Sequence, residues 1–423
     1  MAAHALTACQ WVLLGASVGA SLYALLAAVA MPFFASRRRV ASSPAQGASR
    51  NSHPVYSFKH VGVSVLKPLC GAEPRLYENL RTFCEQRHGY FQLVLGVSSP
   101  DDPAIAVVRR LQAAYPLHDI ELAIDTRVHG SNLKVSNLIN MAERARHDVI
   151  VIADSDIAVE DHYLDSVAAP LADPRVGVVT CLYVAQGVGG FWPRVGALFI
   201  NEWFAPSVRV AHAAGSRSFG FGATLALRRA TLKRIGGFEA LKNCLADDYW
   251  LAEHVRALGL QTVLSRVIVA TDVIEPTFSA LWQRETRWLR TIRSVNPLGF
   301  AFLFITFPTP WLLTGAWLTA SLASTSHAVH VGAALTCATS TTIGLAARLL
   351  LHWRSARHGR TFWRDLPLVP LRDALLALQW LAGAFGSHVV WRGARVPVET
   401  STSRAARGGA MNVMDVAEAS DGR

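Results

Sequence analysis

The sequence predicts an α/β domain built on a doubly wound sheet, with an apolar helix ahead of it and an apolar region behind it. Three observations carry that reading. From Val61 to Ala153 short β-branched runs alternate with amphipathic periods, the pattern of strands connected by crossover helices. Trp11 to Phe34 is almost uninterruptedly apolar, and further apolar stretches run from about Leu298 to Ala323, Val329 to Leu351 and Leu366 to Trp391. Between these regions, Asp148 to Ala153 reads as a buried strand that ends abruptly in Asp154-Ser155-Asp156.

Composition agrees with this division. Of 423 residues 51% are hydrophobic and 17% charged, and the mean hydropathy is +0.27, which fits a membrane protein with a soluble part. The formal net charge of +11 would suit nucleic acid, but no zinc-finger, RNP or helix-turn-helix pattern is present, and the arginines flank the apolar segments instead. The lipid bilayer, with an anionic surface, is the partner they fit; nucleic acid is not. The six cysteines form no Cys-x-x-Cys, which argues for a reduced catalytic region with neither zinc nor a disulfide framework.

The first apolar stretch is long enough to cross a bilayer and ends beside Arg37-Arg38-Arg39, so the positive-inside rule places the α/β domain in the cytoplasm. A signal peptide would carry its charges ahead of the apolar run. Residues 41 to 53, rich in Ser, Ala and Pro, read as a linker. Val61 to Lys67, halted by Pro68, is the first strand, and Glu73 to Arg87 has the period of an amphipathic helix. Phe91 to Val97 is the second strand, and Asp102-Pro103 opens a helix toward Tyr115. Ile120 to Ile124, the helical stretch Asn137 to Arg144 and the strand ending at Ala153 complete the mostly parallel part. After Asp156 the pattern turns mixed. Val176 to Tyr183 and Leu225 to Leu227 are strands, and two glycine-rich passages occur, Gly187-Val188-Gly189-Gly190 and Ser218-Phe219-Gly220-Phe221-Gly222-Ala223-Thr224. Arg229 to Ile235 is a helix stopped by Gly236-Gly237, and Asp247-Asp248 opens another that ends near Gly259. Phe278 to Arg293 interleaves aromatic and basic residues as an interfacial helix does. Pro308 and Pro310 predict a kink or a re-entrant turn in the next apolar stretch, and Arg372 with Asp373 cuts into the last one, which then spans only from about Ala374. These readings set the boundaries: an anchor and linker at 1–53, the α/β domain with its interfacial helix at 54–297, a C-terminal membrane region at 298–400, and a disordered tail at 401–423.

In open α/β sheets ligands bind beyond the carboxyl ends of the strands, so Asp154 and Asp156 should look into a crevice. Side chains at i and i+2 of an extended turn share a face, and two hard oxygen donors there suit Mg²⁺ or Mn²⁺ that also holds a diphosphate. Asp is equally a strand-end and turn residue, so the triplet alone leaves both roles open. Asp247 and Asp248 are open in the same way, because acids in a first turn also favour the helix dipole. Gly130-Ser131-Asn132-Leu133-Lys134 is either a holder of diphosphate through Asn132 and Lys134 or an exposed turn.

Together, Asp101-Asp102, Asp154-Ser155-Asp156, Asp247-Asp248 and Arg284-Glu285-Thr286-Arg287-Trp288 resemble the three aspartate motifs and the (Q/R)xxRW motif of membrane-bound family 2-like glycosyltransferases. The nearest likeness is to the ceramide glucosyltransferase family, whose bacterial relatives include the hopanoid glycosyltransferases. It runs from the anchor through Val63-Ser64-Val65-Leu66-Lys67-Pro68-Leu69 and Asp101-Asp102-Pro103-Ala104 to Trp391-Arg392-Gly393. The resemblance implies a GT-A nucleotide-sugar-binding domain with transmembrane helices on both sides, in a bacterial inner membrane, its catalytic domain cytoplasmic. The implied reaction moves glucose or N-acetylglucosamine from a UDP-sugar to a membrane lipid hydroxyl, such as that of ceramide or a hopanoid, with inversion. Carried over position by position, Asp102 faces the base or ribose, Asp154 and Asp156 hold the Mg²⁺ or Mn²⁺, and Asp248 is the base. Arg284, Arg287 and Trp288 match the last motif. Arg284 stands where processive polysaccharide synthases have Gln, which, with few apolar segments after the domain, argues against a polymer-extruding channel. Two other readings stay open: a polyprenyl-phosphate glycosyltransferase, and a membrane scaffold that binds a nucleotide sugar without catalysis.

Overall fold

The computed structural model describes residues 6–34, 61–324, 328–356, 359–386, 388–391 and 394–397. Arg37 to Arg39, the linker at 41–53 and the tail after Thr400 lie outside the described residues. The first helix, α1, spans Ala8–Phe34. By its internal contacts the chain divides into two compact units, Leu26–Ile274 and Met1–Leu25 with Glu275–Arg423.

In the Leu26–Ile274 unit, β1 (Val63–Pro68), α2 (Leu76–Cys84), β2 (Phe91–Val97), α3 (Ala104–Ala114), β3 (Ile120–Ile124), α4 (Leu133–Ala142) and β4 (Val149–Ile152) alternate as expected. They are followed by β5 (Ile157–Ala158), α5 (Tyr163–Ala168), β6 (Val176–Gly187), α6 (Phe191–Phe199), α7 (Ala205–Ala213), β7 (Leu225–Arg228), α8 (Arg229–Arg234), α9 (Asp247–Ala257) and β8 (Gln261–Val273). The strand order is β3-β2-β1-β4-β7-β6-β8-β5. The first four strands are parallel, β7 runs against both β4 and β6, and β6 is parallel to β8. Both β1 and β4 are buried along their whole length, because both faces of the sheet are covered. Alternate residues therefore feed two cores: Val63, Val65, Val149 and Val151 on one face, Leu66, Ile150 and Ile152 on the other. Leu66 lies beside Ile152, so β1 and β4 leave the sheet together at its topological switch point.

Three departures from the sequence reading affect the site. α4 begins well before Asn137, because the Asn132 side chain accepts the Val135 N–H at 3.1 Å and caps the helix. β6 runs on to Gly187, so the first glycine-rich passage is a strand end leading into α6. Neither β8 nor the α6–α7 pair was expected; the pair is joined by a π-helical turn at Ile200–Phe204, whose Asn201 bonds both the N–H and the C=O of Ala185 at 2.7 and 2.9 Å.

The other unit contains α10 (Phe278–Val295), α11 (Pro297–Ala301), α12 (Pro308–Ala323), α13 (Ala328–Ser355), α14 (Gly359–Asp365), α15 (Leu368–Ala384) and a hairpin of β9 (His388–Trp391) with β10 (Ala394–Pro397). Among the described residues, Ala8–Ala30 and Ala328–Ser355 are long and apolar enough to cross a membrane. A third span results if Pro297–Thr306 and Pro308–Ala323, bent by 55° at the proline break, are one. Gly315 of α12 and Gly344 of α13 leave no space for a Cβ, which would meet Ser17 and Thr341 at the one and Ser21 and Leu312 at the other; small residues let α1, α12 and α13 approach closely.

The last apolar stretch corrects the expectation of a span from about Ala374. α15 starts ahead of Arg372, ends at Ala384 and has only 17 residues, after which the chain turns into β9. Arg372 and Asp373 do not interrupt it, because each is buried with a partner. Arg372 Nη1 donates to Glu285 Oε2 at 2.7 Å, and Gln379 Nε2 donates to the same oxygen at 2.8 Å. Asp373 accepts from Arg348 Nη2 at 3.1 Å and from the Thr309 hydroxyl at 2.7 Å. Paired charges of this kind are what an apolar interior tolerates.

Candidate active site

Past β4 the chain turns through 153–156 into β5. The Ala153 N–H still reaches the Leu66 carbonyl at 3.1 Å, and the Ile157 N–H closes the turn on the Asp154 carbonyl at 3.4 Å. The Asp154 side chain keeps 37% of its surface exposed. Asp156 Oδ2 accepts the Thr271 hydroxyl of β8 at 2.6 Å. That partner is delivered by strand pairing, since Ile157 of β5 lies opposite Thr271. Burial, with the neighbouring charge of Asp154, pushes the Asp156 carboxyl up to about 7, and the bond from Thr271 opposes them.

Lys134, in the first turn of α4, faces this turn. Its Nζ lies 2.6 Å from Asp154 Oδ1 and 3.5 Å from Asp247 Oδ2. Asn132 is buried and donates to the Cys244 carbonyl at 2.7 Å and to Asp247 Oδ1 at 3.2 Å. Asn132 and Lys134 are therefore turned inward, while Ser131 and Leu133 of the same segment are exposed. Burial alone would lower the Lys134 ammonium, but Asp154, Asp247 and Asp248 outweigh it and hold the group above its ordinary range, charged.

Asp248, in the first turn of α9, accepts the Gly222 N–H on Oδ2 at 2.8 Å and the Tyr249 N–H on Oδ1 at 2.8 Å. Burial first, then the charge of Asp247, pushes its carboxyl up to about 6, with Lys134 acting in the opposite direction. Gly222 makes this convergence possible: a Cβ there would lie 2.9 Å from Asp154 Oδ2, 3.3 Å from Lys134 Nζ and 3.5 Å from Asp248 Oδ2. The Gly222→Ala variant should therefore displace at least one of these groups and lower kcat/KM about 10- to 100-fold. Its thermal transition should stay near that of the parent, and unchanged kinetics would show that the space is not needed.

The remaining expected residues are placed differently. Asp102 accepts the Gly71 N–H at 3.0 Å and the Ala104 N–H at 2.8 Å, tying the loop after β1 to the start of α3. Arg284, Arg287 and Trp288 lie on α10, in the other unit. Arg284 donates to Glu275 at 2.6 Å, and its guanidinium lies 5.1 Å from the Trp288 ring centroid. The structure thus brings Lys134, Asp154, Asp247 and Asp248 into one cluster, with Asp156 in the adjoining turn. Thr271, Gly222 as a donor to Asp248, and Lys67 beneath the turn are contributors that sequence reasoning missed.

Among the described residues no three His, Cys, Asp or Glu side chains converge on one point. Asp154 and Asp156 are the two carboxylates of the turn, that of Asp156 raised first by burial and then by the charge of Asp154. Two hard oxygen donors would suit Mg²⁺ or Mn²⁺ and do not fit a structural zinc.

The family profile described as "Glycosyl transferase family 21" matches residues 21–404. The chain belongs to glycosyl transferase family 21. Family 21 membership agrees with its relatives: it is 26% identical over 237 residues to Ceramide glucosyltransferase 1 of Caenorhabditis elegans, covering 56% of this chain and 51% of that protein. It is 26% identical over 233 residues to Ceramide glucosyltransferase 3 of the same organism, covering 54% and 50%. The chain spans about half the length of the curated relatives it matches. Among solved structures it is similar to the mannosyltransferase PcManGT from Pyrobaculum calidifontis in complex with GDP-Man and Mn²⁺, with 20% identity over 86% of this chain and 99% of that one and a TM-score of 0.48. This family 21 chain has a mixed α/β fold with apolar helices toward both ends.

Proposed function

We propose that this family 21 chain is an inverting glycosyltransferase that moves glucose or N-acetylglucosamine from a UDP-sugar to the hydroxyl of a membrane lipid of the ceramide or hopanoid type. The observation that carries the reading is Asp248. Its carboxylate is aimed by two backbone N–H groups, is pushed by burial and the charge of Asp247 up to about 6, and shares a cluster with Lys134 and Asp154. A lipid hydroxyl is a poor nucleophile. Asp248 takes its proton as the new bond to the anomeric carbon forms, and the bond from that carbon to the diphosphate oxygen breaks on the opposite face, its electron pair leaving with UDP. Lys134 holds a positive charge where the departing phosphates gain negative charge. Asp154 and Asp156 would hold a divalent cation, which when bound would supply further neutralisation, so that no second carboxylic acid would be required to protonate the leaving group. Asp102 is assigned to the nucleoside. On the motif resemblance Arg287 and Trp288 serve the donor, while Arg284, engaged with Glu275 and Trp288, fits a role in holding that helix.

The test is transfer in inverted membrane vesicles supplied from outside with labelled UDP-glucose, UDP-N-acetylglucosamine or UDP-galactose. One donor should give a labelled lipid whose mass identifies the acceptor, and excess EDTA should abolish it. No labelled lipid from any donor overturns the proposal, and an acid-labile phosphate-linked product replaces it with polyprenyl-phosphate transfer.

The pH profile is set by the same carboxylate. A base must be ionised, so kcat/KM should fall about tenfold per unit as pH drops below about 6, the value to which Asp248 is pushed. Saturating Mg²⁺ keeps the Asp156 carboxylate ionised and out of the profile. A flat profile from pH 7 to 5 would exclude Asp248 as the base.

A further inference from the structure

Lys67 is the residue before Pro68 at the end of β1, and its side chain is wholly buried. A buried ammonium needs a reason, since an apolar residue of the same length would fill the space without desolvating a charge. Its contacts supply one. Nζ donates to the carbonyl of Asp154 at 2.8 Å and more loosely to that of Ile157 at 3.4 Å, and it sits 3.8 Å from the centroid of the Phe83 ring. The two carbonyls bracket Asp154-Ser155-Asp156, one where the turn opens and one just after it closes. With the backbone held from below, the Asp154 side chain reaches Lys134 and the Asp156 side chain reaches Thr271.

We infer that Lys67 is a positioning residue, a clamp on the backbone of the Asp154–Asp156 turn that sets the spread of the two carboxylates for a divalent cation. The inference rests on the assignment of that pair as the cation site. Its rival is a purely electrostatic role, in which Lys67 is a counter-charge to Asp156, Asp154 and Glu73; burial pulls the ammonium down to about 7 and these acids oppose it. The two roles predict opposite signs. Removing a mere counter-charge makes the carboxylate pair more negative and tightens cation binding. Removing a clamp lets the carboxylates wander and weakens it.

The experiment measures free Mn²⁺ by electron paramagnetic resonance in titrations of the full chain in detergent with UDP, for the parent, Lys67→Met and Lys67→Gln. Methionine is unbranched, one atom shorter and has no donor; glutamine is neutral and retains a donor for one carbonyl. Loss of a group that orients metal ligands typically weakens binding 10- to 100-fold, so Lys67→Met should bind Mn²⁺ weaker by about that factor, with Lys67→Gln between it and the parent. A thermal melt identifies folded variants, and if Lys67→Met fails to fold, the Lys67→Gln comparison carries the test. In turnover assays, saturating Mn²⁺ should restore most of kcat for Lys67→Gln while its Mn²⁺ activation constant stays raised. Mn²⁺ binding equal to or tighter than the parent's in the folded variants overturns the clamp and leaves the cation site standing. A parent chain that binds no Mn²⁺ in the presence of UDP overturns both.

Discussion

Asp248→Asn should cut turnover by roughly two to four orders of magnitude while leaving UDP-sugar affinity nearly unchanged. An amide has the same shape but cannot take the acceptor's proton. The substitution is not entirely silent, because the carboxylate accepts an N–H on each oxygen, from Gly222 and from Tyr249, and asparagine can accept only one of them. A buried N–H left facing an amide nitrogen costs about 1–3 kcal/mol, so a lower melting temperature is expected beside the kinetic loss. The decisive comparison is single-turnover transfer against equilibrium binding of the UDP-sugar. If binding weakens and single-turnover transfer stays near the parent rate, Asp248 is a positioning group at the start of α9. Asp247, bonded to Asn132 and facing Lys134, then becomes the next base to test.

Lys134→Met should be nearly as severe and different in kind. It removes the cation that Asp154 and Asp247 share, so donor affinity and turnover should both fall, turnover by about 10²- to 10³-fold, the usual effect of deleting a group that stabilises developing negative charge. Lys134 also opposes the upward push on Asp248. Without it the acid limb of kcat/KM should move to higher pH, because the Asp248 carboxylate loses the charge that favours its ionised form. A limb that stays in place would show that the two groups do not interact. The loss of stability should fall well short of the 3–5 kcal/mol seen when a fully buried pair is broken, since the Asp154 side chain retains 37% exposure and water can solvate it.

The strands of the parallel half were legible because each is a short, mostly apolar run closed by proline, aspartate or serine, with few polar residues inside it, Ser64 and Lys67 in β1, Gln92 in β2 and Glu121 in β3. The acids of the cluster were legible from their motifs. β8 was not: Arg266 and flanking polar residues interrupt its run, although Val263, Val267, Ile268 and Val269 between Gly259 and Glu275 were a usable signal. The helices around the π-helical turn were hidden by Pro193 and Pro206, which read as breakers but sit near helix starts where no backbone N–H is needed. The Asn132 cap lacks an acid or glutamine three residues on, so it carried no capping-box mark. Lys67 under the turn and Gly222 against Asp248 are contacts across the fold, which no local spacing encodes. Arg372 and Asp373 misled for the same reason, because their partners Glu285 and Arg348 lie on other helices.

The two-residue strand β5 stands at the edge of the sheet and pairs with β8 alone, and Thr271 is synthesised 115 residues after the Asp156 it bonds. A chain emerging from the ribosome therefore carries both turn acids long before it has the strand that gives the turn its shape. Closing so long a loop is entropically unfavourable and slow compared with the local βα pairings upstream, which can form as they emerge. The parallel half of the sheet is assembled early and the partner of Asp156 late. A chain arrested between Asp248 and Gln261 holds every acid of the cluster and still lacks the strand that bonds Asp156, so the turn takes its final form only with the last strand of the sheet to be made.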